Sequence, residues 1–362
     1  MNKNQAEYKN IVIYRKECDN YFLLLYNNKT LSVGYLVKDI LVLLQEGVYE
    51  LLDIKEKICQ HCNIELELSE IKKIILMINK FISDSSNSFF IKIGKIINPG
   101  IIKGNIDFIF EKYIFYSSFI VILILNILFA FILPHSNILA FKEWIIYIVL
   151  LLLISFFHEL GHALSARKYE INCEEIGIGL YIIFPILYTN IGESWRLKRW
   201  KRIIINLSGI FFQLVFGIII GSFAFFTESG VLYILFFTNF IISLLNLNPF
   251  IKFDGYWVLS DILDIKNLSK SAHNEINHLL FLNIKAIKDR KLLIYSLMRF
   301  IFIAFMIISF IYILKDIIIK MLNNKSLFYD EYFIIIVSIF YILISLKDEY
   351  SSIQKKYMEK AK

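Results

Sequence analysis

Cysteine is scarce in this chain: four in 362 residues, at positions 18, 59, 62 and 173. That number and spacing exclude a disulfide framework. Cys59-Gln60-His61-Cys62 has the C-x-x-C spacing of a zinc or redox pair, but no second Cys/His pair at a suitable distance accompanies it. Two reduced thiols on a cytosolic helix are therefore expected there. Also missing is an apolar core behind the first residues, Met1 to Tyr8, so no cleaved signal peptide is expected. The net charge of +7 comes without a basic helix face. Lys and Arg sit mainly in loops beside apolar runs, and within residues 1–95 Asp and Glu closely balance them, which excludes nucleic acid as the expected partner. What the chain has in excess is apolar side chains. At 57% hydrophobic and a mean hydropathy of +0.60, it stands above the roughly 45–50% apolar share of soluble domains.

That excess is unevenly spread. Residues 1–112 alternate charged and apolar side chains as a soluble domain does. Strand-like runs at 10–14, 21–26 and 30–33, the last two joined by Asn27-Asn28-Lys29, precede helical patterns at Leu36–Leu44, Asp53–Cys62 and Ser69–Ile82. Ile71, Ile74, Ile75 and Ile78 share one face of the third, Gly47 ends the first, and Phe89–Ile93 reads as a returning strand. This predicts a small α+β, winged-helix-like cytosolic module over 1–95 and a linker over 96–112. From Tyr113 the pattern becomes that of an all-α polytopic membrane protein. Six runs of about 20 residues, 113–133, 144–166, 203–226, 230–249, 293–314 and 328–346, match a bilayer core of roughly 30 Å. Lys and Arg concentrate after the second and fourth runs, which places both termini on the cytosolic side of the cell membrane. The membrane domain is expected over 113–346, with a cytosolic tail over 347–362. Residues 174–192, apolar, glycine-spaced and broken by Pro185, are too short for a span and read as a re-entrant or β-hairpin element.

Inside the second run stands His158-Glu159-Leu160-Gly161-His162. On a helix, H-E-x-x-H sets two imidazoles one turn apart on one face, the spacing a single Zn²⁺ requires, with the glutamate aimed at a metal-bound water. Ionisable side chains at lipid depth are costly and are seldom kept without a function. A catalytic zinc needs a third protein ligand. Asp254, in Asn246-Leu247-Asn248-Pro249-Phe250-Ile251-Lys252-Phe253-Asp254-Gly255, is the leading candidate, because Pro249 breaks the fourth run and Gly255 permits a close return. Glu174, Glu175, Glu193, Asp261 and Asp264 compete with it. Asn206, Gln213 and Asn239 could line a cavity or serve as interhelical glue. Arg299 is expected to snorkel to the cytosolic surface.

H-E-L-G-H in one membrane helix, followed by N-P-x-x-x-x-D-G at the end of a later one, resembles the site-2 protease superfamily of intramembrane zinc metallopeptidases. The resemblance implies zinc on His158, His162 and Asp254, with Glu159 as general base. The stretches Pro185–Leu197 and Asn246–Leu268 are similar to a narrower group, the bacterial peptide zinc metalloproteases. Many of these carry an N-terminal PqqD-like winged helix and occur beside genes for ribosomally made, modified and exported peptides. Phe253 stands where many members have Leu, and the upstream prolines are fewer. The function so implied is hydrolysis of a peptide or membrane-protein substrate within the lipid bilayer, in peptide maturation or export, with a leader peptide on the N-terminal module. Two alternatives stay open. One is a regulatory protease releasing a membrane-tethered factor; the other is a non-catalytic peptide-binding or immunity component, against which the retained Glu159 argues.

Overall fold

The computed structural model describes residues 5–17, 21–26, 29–62, 64–83, 90–102, 106–134, 141–173, 175–181, 184–266, 268–280 and 289–322. Two compact units divide the chain: residues 1–112 with 162–205, and residues 113–161 with 206–362.

In the first unit a single turn of helix, α1 (Gln5–Tyr8), leads into an antiparallel sheet of β1 (Val12–Arg15), β2 (Phe22–Tyr26) and β3 (Lys29–Val33). Val12 lies opposite Leu25, and Phe22 opposite Val33. Three helices follow: α2 (Tyr35–Gln45), α3 (Leu51–Cys62) and α4 (Leu68–Ser83). Their apolar stripes close one core. Leu24 and Tyr26 from one face of β2 meet Ile40, Leu41 and Leu44 of α2, Ile54 and Ile58 of α3, and Ile71 and Ile78 of α4. Ile74 and Ile75 pack at its margin. Each fully buried isoleucine stabilises this small module by roughly 1.5–3 kcal/mol.

The other face of β2 is covered as well. Leu23 is fully buried, and the 3₁₀ turn Gly192–Arg196 lies against β2 and β3. Glu17 clamps this docking. Its amide donates to the Arg196 carbonyl at 2.8 Å, and its carboxylate accepts from the Lys198 amide at 3.0 Å and Lys201 Nζ at 2.7 Å. Burial pushes the Glu17 carboxyl up, but the Lys201 and Lys198 contacts outweigh it and hold the group below its ordinary value. The clamp is accordingly present above the usual carboxylate range and is lost as acid protonates it.

The run expected to return to this sheet goes elsewhere. It forms β4 (Phe90–Ile97), which pairs antiparallel with β5 (Ile176–Tyr181), which in turn pairs with β6 (Phe184–Thr189). Ile91, Ile93 and Ile96 all remain exposed, so β4 offers no apolar face to the helical core. Its anchor is polar: Lys92 pairs with Glu175, which also accepts from Tyr188 Oη at 3.0 Å. Residues 176–181 and 184–189 thus supply two strands of a three-stranded sheet, and β4 continues to Ile97 as the third.

Helices dominate the remainder. α5 (Lys112–Ile132), α6 (Phe141–Lys168), α7 (Arg199–Thr227) and, after three shorter helices, α11 (Arg290–Leu322) are long and apolar enough to cross a membrane. The shorter ones are α8 (Gly230–Asn246), α9 (Asp254–Leu263) and α10 (Leu268–Leu280). About two-thirds of the apolar stretch of α7 is buried, against less than a quarter for the other three, so α7 is the central helix. Ile145, Ile146, Ile148 and Val149 on α6 stay exposed, as side chains facing lipid do.

Among the described residues four helices meet the length of a span, where six spans were expected. The fourth expected run is the 17-residue α8, which ends at Asn246, three residues before Pro249. The sixth run, 328–346, and the tail over 347–362 lie outside the described residues. The stretch after α8, expected as a loop, folds as α9 and α10 because Tyr256, Leu268 and Ala272 bury together with Leu292 and Tyr295 of α11. Arg299 does not snorkel. It is 6% exposed, and its Nη1 donates to Ser269 Oγ at 2.7 Å.

Candidate metal centre

The helix that carries the motif is built from an unbroken apolar run, with Glu143 in its first turn and Arg167 and Lys168 in its last, each sign complementing the nearer end of the dipole. His158 and His162 are four residues apart, about 6 Å along the axis and on one face. His162 is 5% exposed; His158 and Glu159 are half-buried. Gly161 lies between them against α7. A Cβ there would stand 2.4 Å from the Ser208 carbonyl oxygen, so only glycine allows the two backbones to approach this closely.

Asp254 arrives from the other direction. α8 ends at Asn246, Asn248 Oδ1 accepts from the Phe250 amide at 2.8 Å, and the Pro249 carbonyl accepts from Tyr295 Oη at 3.0 Å. This fixed turn delivers Asp254 as the first residue of α9, where a carboxylate is favoured by the helix N-terminus. Gly255 is again a close-approach residue: a Cβ would lie 2.2 Å from the Leu247 carbonyl oxygen. The result brings Asp254 Oδ2 to 3.1 Å from His158 Nε2. One ring nitrogen of each histidine and one oxygen of Asp254 all lie within 4.8 Å of one another.

The ring tautomers suit a cation. His162 Nδ1 is 2.8 Å from the Ile205 carbonyl oxygen, and His158 Nδ1 is 3.2 Å from Gln213 Oε1. Both acceptors offer only lone pairs, so each Nδ1 carries the proton and each Nε2 presents its lone pair. Two imidazole lone pairs and one carboxylate are the donor set of a catalytic zinc, which keeps a fourth position for water.

The competing carboxylates are otherwise engaged. Glu175 pairs with Lys92, Glu193 accepts from Tyr14 Oη at 2.5 Å, and Asp261 accepts from Asn206 Nδ2 at 2.8 Å. Asp264 occupies the left-handed cap of α9, and Glu174 lies outside the described residues. Asn206 therefore serves α9, whereas Asn239 Nδ2 reaches the Gln213 carbonyl at 3.0 Å. Asn246 was not singled out in the sequence, yet its Nδ2 reaches Gln213 Oε1 at 3.3 Å. Its position beside Asn248-Pro249 was the only available signal. The Ile205 carbonyl, being backbone, left none.

Comparison with known proteins bears on this segment. Residues 146–230 match the profile of peptidase family M50. Over 152 residues, 41% of this chain, the sequence is 30% identical to a protein of Bacillus subtilis (strain 168) provisionally named peptide zinc metalloprotease protein YydH. The aligned part spans 58% of that relative's length. No solved structure matches significantly. The stretch that contains both histidines of the cluster is thus similar to peptidase family M50, and the chain spans a little over half the length of the relative it matches.

Proposed function

We propose that this protein is an intramembrane zinc metalloendopeptidase. The observation that carries the reading is the approach of His158, His162 and Asp254 to within 4.8 Å at the end of an apolar helix. Zinc held by these three groups would lower the pKa of a bound water to about 7 and polarise a peptide carbonyl. Glu159, on the same turn as the histidines, takes the proton of the attacking water. It returns that proton to the amine nitrogen as the C–N bond breaks, so water adds across the bond and no further reactant is needed. The Nδ1 atoms of His158 and His162 are engaged by Gln213 and the Ile205 carbonyl, which leaves each Nε2 for the metal. Purified protein should contain about one zinc per chain and cleave a peptide reconstituted with it in lipid. Chelation should remove both properties and added zinc should restore them. Cleavage by fully metal-free protein would refute the reading.

The substrate we favour is a ribosomally made peptide, captured by the N-terminal module. Its sheet has β1 and β3 as outer strands, and an extended leader segment could add to such an edge through main-chain hydrogen bonds. The name given to the Bacillus relative, a peptide zinc metalloprotease, supports the same substrate class. Full-length protein in detergent should bind a labelled leader-type peptide with little dependence on salt, and should not retard duplex DNA. Salt-sensitive DNA binding without peptide binding would reverse this assignment.

A further inference from the structure

The two histidines owe their tautomers to different kinds of partner. For His162 the acceptor is a backbone carbonyl, which no substitution at position 205 removes. For His158 it is a side chain, Gln213 on the central helix α7, 4% exposed. We infer that Gln213 is a positioning residue that holds His158 with its Nε2 lone pair turned to the metal position. The inference rests on the zinc reading above.

The orientation of the Gln213 amide is not arbitrary. Its Oε1 receives two groups, His158 Nδ1 at 3.2 Å and Asn246 Nδ2 at 3.3 Å. An asparagine Nδ2 can only donate, so Asn246 selects the amide orientation that presents oxygen, not nitrogen, to the imidazole. Were the amide reversed, Gln213 would donate to Nδ1, the ring proton would move to Nε2, and the lone pair needed for a metal would be lost. Asn246 is also the last residue of α8, eight before Asp254. A single buried oxygen thus ties the ring of His158 to the segment that delivers the carboxylate. The Gln213 carbonyl, bonded by Asn239 Nδ2, pins α8 to α7 at the same level.

Interhelical glue is the competing role, and zinc affinity separates the two. Gln213→Met preserves length and apolar packing but removes the acceptor; Gln213→Glu preserves an oxygen that accepts from both donors. With full-length protein stripped of metal and titrated with zinc against a competing chelator, the Met variant should bind about 10–100-fold more weakly. The Glu variant should stay within a few-fold of wild type or bind more tightly. Asn239→Ala, which loosens the same helices without touching His158, should lower the thermal midpoint but leave zinc affinity near wild type. Should the Met protein fail to accumulate, Gln213→Asn, one methylene too short to reach Nδ1, carries the same expected loss. Wild-type zinc affinity in the Met or Asn variant, beside a wild type that binds zinc, overturns the role of Gln213. A wild type that binds no zinc instead overturns the metal site itself.

Discussion

Glu159→Gln is expected to leave zinc bound and remove hydrolysis. The substitution replaces one carboxylate oxygen by an amide nitrogen with almost no change in volume, and Gln and Glu have similar helix propensities, so α6 should remain intact. Glu159 is not among the three groups that converge within 4.8 Å, and metal content should match wild type. What the amide cannot do is accept a proton from water. A positioned general base contributes typically 10²–10⁴-fold, and the loss in kcat should fall in that range with KM little changed. Glu159→Asp, which keeps the base but withdraws it by one methylene, should lie between. Metal analysis beside single-turnover cleavage of a membrane-embedded peptide reads both quantities. A Gln variant that keeps its zinc and cleaves at the wild-type rate would strip Glu159 of the general-base role, whereas a zinc-loaded wild type that cleaves nothing would return the protein to the class of non-catalytic peptide-binding scaffolds.

How much of this was legible beforehand follows from which interactions are local. The pair His158 and His162 depends only on helix periodicity, so their shared face could be read directly from the spacing. Asp254 was harder, since its approach depends on a turn. Pro249 and Gly255 nevertheless marked the break and the close return, and a Cβ at 255 would indeed collide with Leu247. The small module behaved likewise: strands at 12–15, 22–26 and 29–33 and helices at 35–45, 51–62 and 68–83 follow from alternation and apolar stripes. Long-range pairing left no comparable trace. Nothing in Phe90–Ile97 names its partner, and that strand joins β5, 79 or more residues later in sequence, because an edge can pair with any free edge of suitable twist. Charge misled as well. Lysines flanking 252–291 signalled a loop, but the apolar positions between them suffice to bury α9 and α10 against α11. Arg299, which hydropathy alone sends to the surface, is held by Ser269 of α10.

Asp254→Ala should have the opposite signature from Glu159→Gln, losing metal and activity together. The carboxylate stands 3.1 Å from His158 Nε2 at the start of α9. Removing it leaves two imidazoles, which cannot alone hold a catalytic zinc. Zinc-site free energies of roughly 10–16 kcal/mol shared over four ligands suggest a loss of about 10²–10³-fold in affinity per ligand, and hydrolysis should fall to background at micromolar zinc. The loss must be separated from simple unfolding of α9. Asp261→Ala supplies that control, for it lies seven residues on along the same face of the helix and is occupied by Asn206 Nδ2 at 2.8 Å. Its removal exposes a buried amide and should lower the thermal midpoint, yet zinc affinity should stay near wild type. Equal zinc loss in both variants would mean that α9 is needed only as a whole. Zinc retained by Asp254→Ala with wild-type affinity would require the third ligand to be another group. No other described His, Cys, Asp or Glu side chain forms such a cluster with the two histidines, so Asp254 is the position at which the metal assignment is most exposed to refutation.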